Sequence, residues 1–161
     1  MERVLVSACL LGAKVRYHGG SAEVSDPILS RWAAEGRLVP VCPEVEGGLP
    51  TPRPPAEIQR GAGVRLRVLA ADGRDVSEAF LAGADAALEQ VRRHGIRVAI
   101  LKDGSPSCGS SFVFDGTFRG TRVAGEGVTA AALRAAGVRV FSEHQMDEAS
   151  RFVASLEAPS R

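Results

Sequence analysis

The chain has 161 residues, 45% hydrophobic and 24% charged, with 20 basic and 19 acidic side chains for a formal net charge of +1. A single domain of about this size buries roughly 70% of the surface its unfolded chain exposes, so folding requires neither a metal nor a disulfide. This composition excludes disordered and fibrous classes. The charges are interspersed, with no basic run longer than Arg92 and Arg93, which removes the footprint of a nucleic-acid binder and points to a small-molecule partner.

Residues 3 to 8 open the chain with a near-continuous apolar run (Val4, Leu5, Val6, Ala8), the mark of a strand buried on both faces. A signal peptide fits less well, because Glu2 is acidic and Arg3 is the one cation before the run. Gly12, Gly19 and Gly20 then punctuate a loop over residues 10 to 25. Ser25-Asp26-Pro27 predicts a helix start, with Trp32 on the buried face and Gly36 as the stop after about Glu35. A second strand is expected over 38 to 41. From Pro40 to Pro55 lie six of the nine prolines, with Gly47 and Gly48; this excludes regular helix or central strand and predicts a long loop, ordered or disordered, of a kind that is usually functional within a compact domain.

Residues 64 to 69 alternate apolar and basic and read as a half-exposed edge strand before a turn at Asp72-Gly73. Asp75 to His94 form the strongest predicted helix, with Val76, Phe80, Ala84, Ala87, Leu88 and Val91 near helical spacing and Gly95 as its stop. A third buried strand follows at 96 to 101, then a Gly/Ser-rich loop from 102 to 127 with a small hairpin around Phe112 to Phe118. A helix at about 128 to 136, a strand at 138 to 141 and a terminal helix at about 146 to 156 complete the chain. This alternation predicts one domain over 1–161, a Rossmann-like or flavodoxin-like three-layer α/β fold with a mostly parallel sheet of about four to five strands. No Gly-x-Gly-x-x-Gly follows the first strand, and Gly125-Glu126-Gly127 reads as a helix start with Gly for tight packing. No segment approaches the ~18 uninterrupted apolar residues of a membrane span.

Three cysteines stand where apolar runs give way to loops: Val-Ser-Ala-Cys9, Val-Pro-Val-Cys42 and Ser-Pro-Ser-Cys108. Their odd number and sparseness argue against a disulfide scaffold and for the reducing cytoplasm. They are 33 and 66 residues apart (42 − 9 and 108 − 42), so no zinc-finger or ferredoxin spacing applies. If the runs are strands of one parallel sheet, their carboxyl ends share the crevice where open α/β folds bind ligands. Three thiolates without an obvious fourth protein ligand would leave an open position, as catalytic metal sites do, and soft sulfur favours an iron-sulfur cluster or zinc. The alternative for each is a small buried side chain.

Glu44 is a candidate general acid or base if burial raises its pKa, or else a solvated loop charge; Glu46 reads as the latter. Ser105 and Ser107 can orient a polar ligand or serve turn chemistry. Arg16, Tyr17 and His18 in the Gly-rich loop could hydrogen-bond or stack on a planar heterocycle, and Arg53 could bind carbonyl or carboxylate groups. His94 and His144 read as structural.

Taken together, Val-Ser-Ala-Cys9-Leu-Leu-Gly, Arg16-Tyr17 with Gly19, Pro-Val-Cys42-Pro-Glu44-Val with Gly47-Gly48-Leu-Pro-Thr-Pro-Arg53, Leu-Lys-x-x-Ser105-Pro-Ser-Cys108-Gly, Asp115-Gly-Thr-Phe and Gly125-x-Gly-Val-Thr129 resemble the DUF523 family from residue 4 to about 143. That family includes the iron-sulfur-dependent thiouracil desulfidases. The resemblance implies a [4Fe-4S] cluster held by Cys9, Cys42 and Cys108 with one iron free of protein ligands. It further implies a catalytic Glu44 and Ser105, and non-redox hydrolysis of a 2-thiouracil-like base to the oxo base and hydrosulfide. His18 departs from the Asp or Asn common in the family, and Val15 stands where many members carry a further Cys. Rival readings are a non-catalytic sulfide or cluster carrier and a zinc hydrolase with a three-cysteine site. A thiol redox enzyme is disfavoured by the lack of Cys-x-x-Cys.

Overall fold

The computed structural model describes residues 1–59 and 66–158. In chain order its elements are β1 (Val4–Ser7), a 3-10 turn (Ala8–Leu11), α1 (Pro27–Ala34), β2 (Leu38–Val41), α2 (Pro43–Glu46), β3 (Ala56–Gln59) and β4 (Arg67–Ala70), followed by α3 (Ser77–His94), β5 (Val98–Leu101), β6 (Phe112–Phe114), β7 (Arg122–Ala124), α4 (Val128–Ala135), β8 (Arg139–Ser142) and α5 (Met146–Glu157). Four strands pair in parallel in the order β2-β1-β5-β8. The chain moves outward from β1 to β2, then returns across β1 to β5 and β8. This is the flavodoxin-like order, and its switch point lies between β1 and β5.

Side chains of a strand alternate between faces, which explains the continuous apolar runs. Val4, Val6, Val98 and Ile100 face Leu29 and Trp32 of α1 and Met146, Ala149 and Val153 of α5. Leu5, Ala99 and Leu101 face Ala87 of α3 and Ala130 and Leu133 of α4 on the other side. The three-layer α/β expectation is met, with four parallel strands. Asp26 caps α1 by accepting from the amides of Ile28 (2.8 Å) and Leu29 (3.1 Å). The predicted stops also form, with Gly36 and Gly95 in the left-handed region at φ 69° and 62°, where glycine carries no Cβ penalty.

The proline-rich segment corrects one expectation. Pro43 opens a one-turn helix, α2, because the first helical position needs no N–H. Pro40 sits inside β2 at the sheet edge, where a missing donor costs no ladder bond. Further along, β4 pairs antiparallel with β3 in a ribbon separate from the central sheet. Leu66 is exposed, and residues 64 and 65 of the expected strand lie outside the described residues. The second ribbon pairs β6 with β7, so the hairpin runs to Ala124 and not to Phe118. Among the described residues no helix is long and apolar enough to cross a membrane.

Helix α2 is seated on α3 by two glycines. A Cβ on Gly83 would run into the Pro43 carbonyl, and one on Gly47 into the Ala79 carbonyl. Replacing Gly83 by Ala adds up to about 1 kcal/mol of helix propensity, whereas overpacking costs about 1–3 kcal/mol. The clash should win: Gly83→Ala is expected to lower the Tm by a few degrees in a calorimetric scan, and a raised Tm would contradict this seat for α2.

Candidate active site

Each cysteine lies in the turn that ends a strand. β1 runs into the 3-10 turn that carries Cys9, and β2 into α2, with Cys42 at its N-cap. β5 is followed by a turn in which the Ser105 hydroxyl accepts from the amides of Ser107 (3.1 Å) and Cys108 (2.7 Å). This is a capping geometry with Pro106 in the next position, where its fixed φ is favourable. Because β2, β1 and β5 are neighbours, about 4.8 Å apart, Cys9, Cys42 and Cys108 all line one cleft of about 660 Å³. All three are free thiols, Cys9 and Cys108 buried and Cys42 half-buried.

The Cys108 turn rests on the start of α4. Val128 and Thr129 donate to the carbonyls of Pro106 and Ser107, each at 2.8 Å. A Cβ on Gly127 would collide with the Ser107 carbonyl, so the tight-packing reading of that glycine holds. A residue that sequence reasoning missed organises the same loop. The Asp103 carboxylate accepts from the amides of Gly104 (2.9 Å), Ser110 (3.0 Å) and Ser111 (3.1 Å) and from the Ser111 hydroxyl. Burial works to raise its pKa, yet the Ser111 hydroxyl and these amides hold it below the ordinary carboxylate value. Its signal was an Asp-Gly pair separated from the end of a strand by one residue.

Electrostatics tie the thiols to one another. Burial pushes Cys9 up to about 11, against the pull of Arg16 and with a further push from Cys42. Cys108 rises to about 12, again by burial, although the Ser7 and Ser107 hydroxyls work to lower it. Cys42 is also raised by burial, opposed by the Val45 amide and by Arg53, with Glu44 adding to the rise. Such thiols are protonated and weakly nucleophilic near neutral pH, which removes support from a thiol redox enzyme.

Glu44 sits in the first turn of α2, and burial raises its pKa while the charges of Arg53 and Arg16 pull it down. Arg53 Nε lies 3.6 Å from Glu44 Oε1, close enough for an ion pair and too long for a hydrogen bond, and that buried Nε has no hydrogen-bond partner. The rest of the guanidinium is committed to backbone and loop. Nη1 donates to the Pro50 carbonyl and Thr51 Oγ1 (both 3.1 Å) and Nη2 to the Val15 carbonyl (2.9 Å). Arg53 therefore ties the glycine-rich loop to the proline-rich loop and leaves its unpartnered Nε facing Glu44.

Of the residues singled out from sequence, Arg16, Tyr17, Glu44, Arg53 and Ser105 line the cleft with the cysteines. Ser107 does not. It is fully buried and its hydroxyl pairs with Thr129 at 2.8 Å, so the expectation of a substrate contact is corrected to a framework role. His18 also stands outside the lining; its Nδ1 accepts from the Gly20 amide at 2.9 Å. Lys102, in contrast, lines the cleft and pairs with Glu143 at 3.1 Å.

Fold and site define a doubly wound α/β protein with a cysteine-lined cleft at its switch point. The sequence model of the 2-thiouracil desulfurase family matches residues 4–145, and the chain belongs to that family of C–S bond-cleaving enzymes. YbbK, an uncharacterized protein of Bacillus subtilis (strain 168), is 41% identical over 150 residues, covering 90% of this chain and 98% of that protein. A solved structure of the [4Fe-4S]-dependent thiouracil desulfidase TudS is similar to this chain with a TM-score of 0.90 and 48% identity. The match covers 96% of this chain and 99% of that one. The resemblance to DUF523 is thereby borne out.

In the metal-free protein at pH 7.5, Ellman's reagent should label all three thiols more slowly than a free cysteine, with half-buried Cys42 first and Cys108 last. Rates should rise with pH beyond 9. Rapid labelling of Cys108 at neutral pH would contradict its burial.

Proposed function

We propose that the protein is a desulfidase that holds a [4Fe-4S] cluster on Cys9, Cys42 and Cys108 and hydrolyses a small thiolated heterocycle of the 2-thiouracil type. The observation that carries this reading is the presence of three thiols, from the ends of three adjacent strands, in one cleft with a buried carboxyl group at Glu44. The donor set fits the cluster. Soft thiols suit iron-sulfur chemistry, and among the described residues no three Cys, His, Asp or Glu side chains are gathered closely enough for a single ion. Three soft thiols that line one crevice suit three corners of a cluster. The similarity to TudS, a [4Fe-4S]-dependent thiouracil desulfidase, supports the same assignment, and unpaired thiols suit the reducing cytoplasm.

When bound, a cluster with three protein ligands supplies an open iron as a Lewis acid for the thione sulfur. Glu44 takes a proton from water as the water oxygen bonds to the thiocarbonyl carbon, and the C=S π pair moves to sulfur. The C–S bond then breaks and the carbonyl forms. Overall, thione and water become the oxo base, hydrosulfide and a proton, with no net electron transfer. Ser105 acts as a donor, because its oxygen already accepts from two amides and its O–H is left to hydrogen-bond the substrate. Arg53 keeps Glu44 oriented and its pKa in check.

Anaerobic cluster reconstitution followed by sulfide release from 2-thiouracil tests the scheme. Alanine at Cys9, Cys42 or Cys108 should abolish both iron retention and turnover. Glu44→Gln should retain iron and lose about a hundredfold or more in kcat. Undiminished turnover in Glu44→Gln would remove the base, and sulfide release by iron-free wild type would remove the cluster.

The pH profile gives a second check. A base must be ionised, so kcat/KM should fall as pH drops through the Glu44 pKa, at a pH above the ordinary carboxylate range because burial raises that group. Arg53→Leu removes a charge that favours the ionised form and should move this acid limb to higher pH, while Arg53→Lys should leave it nearer the wild-type position. An unmoved limb in Arg53→Leu would contradict the coupling.

A further inference from the structure

Phe118 is the one non-glycine residue among the described residues with a positive φ, at 58°. A bulky side chain is disfavoured there, and such outliers persist when surrounding structure holds them. Burial does not explain this one. The Phe118 ring is 39% exposed and lines the cleft, so folding gains little from placing it there.

The backbone around it is latched from a distant strand. Glu57 of β3, through Oε1, accepts from the amides of Gly116 (2.9 Å) and Phe118 (3.2 Å). Gln59 of the same strand donates from Nε2 to the Gly116 carbonyl at 2.9 Å. The Asp115 carboxylate accepts from the amide and hydroxyl of Thr117 at 3.0 and 2.6 Å. Below the tip, the Arg122 guanidinium lies 4.3 Å from the centre of the Phe112 ring, which braces the two strands against each other. Glu57 itself lines the cleft, yet its Oε1 is spent on two amides of the hairpin tip.

We propose that Phe118 is a substrate-binding residue, a preorganised stacking platform for a planar heterocycle, and that Glu57 is the positioning residue that holds it over the cleft. This rests on the desulfidase reading for the identity of the heterocycle. A hydrocarbon ring neither titrates nor ligates metal, so its contribution is to binding, through a π face that accepts any flat base. Fixing the ring in advance removes an ordering cost on binding.

The test measures binding and turnover separately on the cluster-loaded protein. Calorimetric titration with uracil, and with 2-thiouracil in the turnover-deficient Glu44→Gln background, gives Kd, and sulfide release gives kcat and KM. Phe118→Ala should raise Kd for both bases and KM for 2-thiouracil about tenfold, equivalent to about 1.4 kcal/mol, with kcat within about twofold. Phe118→Leu should remain weakened and Phe118→Trp should restore binding. Glu57→Ala should weaken binding in the same direction, Glu57→Gln should rescue it through its remaining acceptor oxygen, and Glu57→Ala should add little when Phe118 is already Ala.

Unchanged Kd and KM in Phe118→Ala, a loss confined to kcat, or failure of either base to bind would overturn the platform. Additive effects of the two alanine variants would overturn the latch. If the bases bind but wild type releases no sulfide, the desulfidase reading fails while the binding measurements still decide the role of Phe118.

Discussion

Parallel pairing of β1 with β2 on one side and β5 on the other makes a single site out of residues far apart in the chain. Each strand is four residues long. Reversing any one of them would carry its cysteine about 13 Å to the opposite end of the strands. The same pairing forces both faces of the strands to be apolar, because helices cover each side. The hydrophobic core and the thiol cluster are thus consequences of one arrangement. Two close backbone contacts, α2 on α3 and the Cys108 turn on α4, then hold the strand-end turns in place.

Burial is the dominant electrostatic influence in the cleft. It keeps the thiols neutral until a metal displaces their protons, and it raises Glu44 toward the range useful for a base. Cationic side chains temper the effect. Arg16 pulls on both Cys9 and Glu44, and Arg53 pulls on both Cys42 and Glu44. One set of cations therefore favours the ionised form of the thiols and of Glu44 alike, which under the proposed function would couple water activation to the electrostatics of the metal site.

Much of this was legible from the amino-acid sequence. Continuous apolar runs at Val4 and Val98 marked strands covered on both sides, and Asp26-Pro27 with Gly36 and Gly95 marked helix limits. Cysteines after apolar runs, with Glu44 and Ser105 beside them, located the cleft. What stayed hidden depends on contacts distant in sequence. Helix α2 is a single turn that Pro43 can start but whose seat needs Gly47 and, far along the chain, Gly83. Ser107 looked like Ser105 until Thr129 turned it inward. The role of Glu57 lies in the amides of Gly116 and Phe118, a distant pairing no local pattern encodes. The ribbon strand β3 is short and follows a proline-rich stretch, so local propensity could not reveal it.

The most direct measurement of the central claim is Mössbauer spectroscopy of the anaerobically reconstituted protein, before and after addition of 2-thiouracil. Three thiolate ligands on a cubane leave one corner unlike the others. Expected are about four irons per chain, with one distinct component that shifts when the thione is added and three that stay. Four equivalent irons unmoved by substrate, or a chain that takes up a single zinc and no iron, would contradict a three-cysteine cluster with an open position.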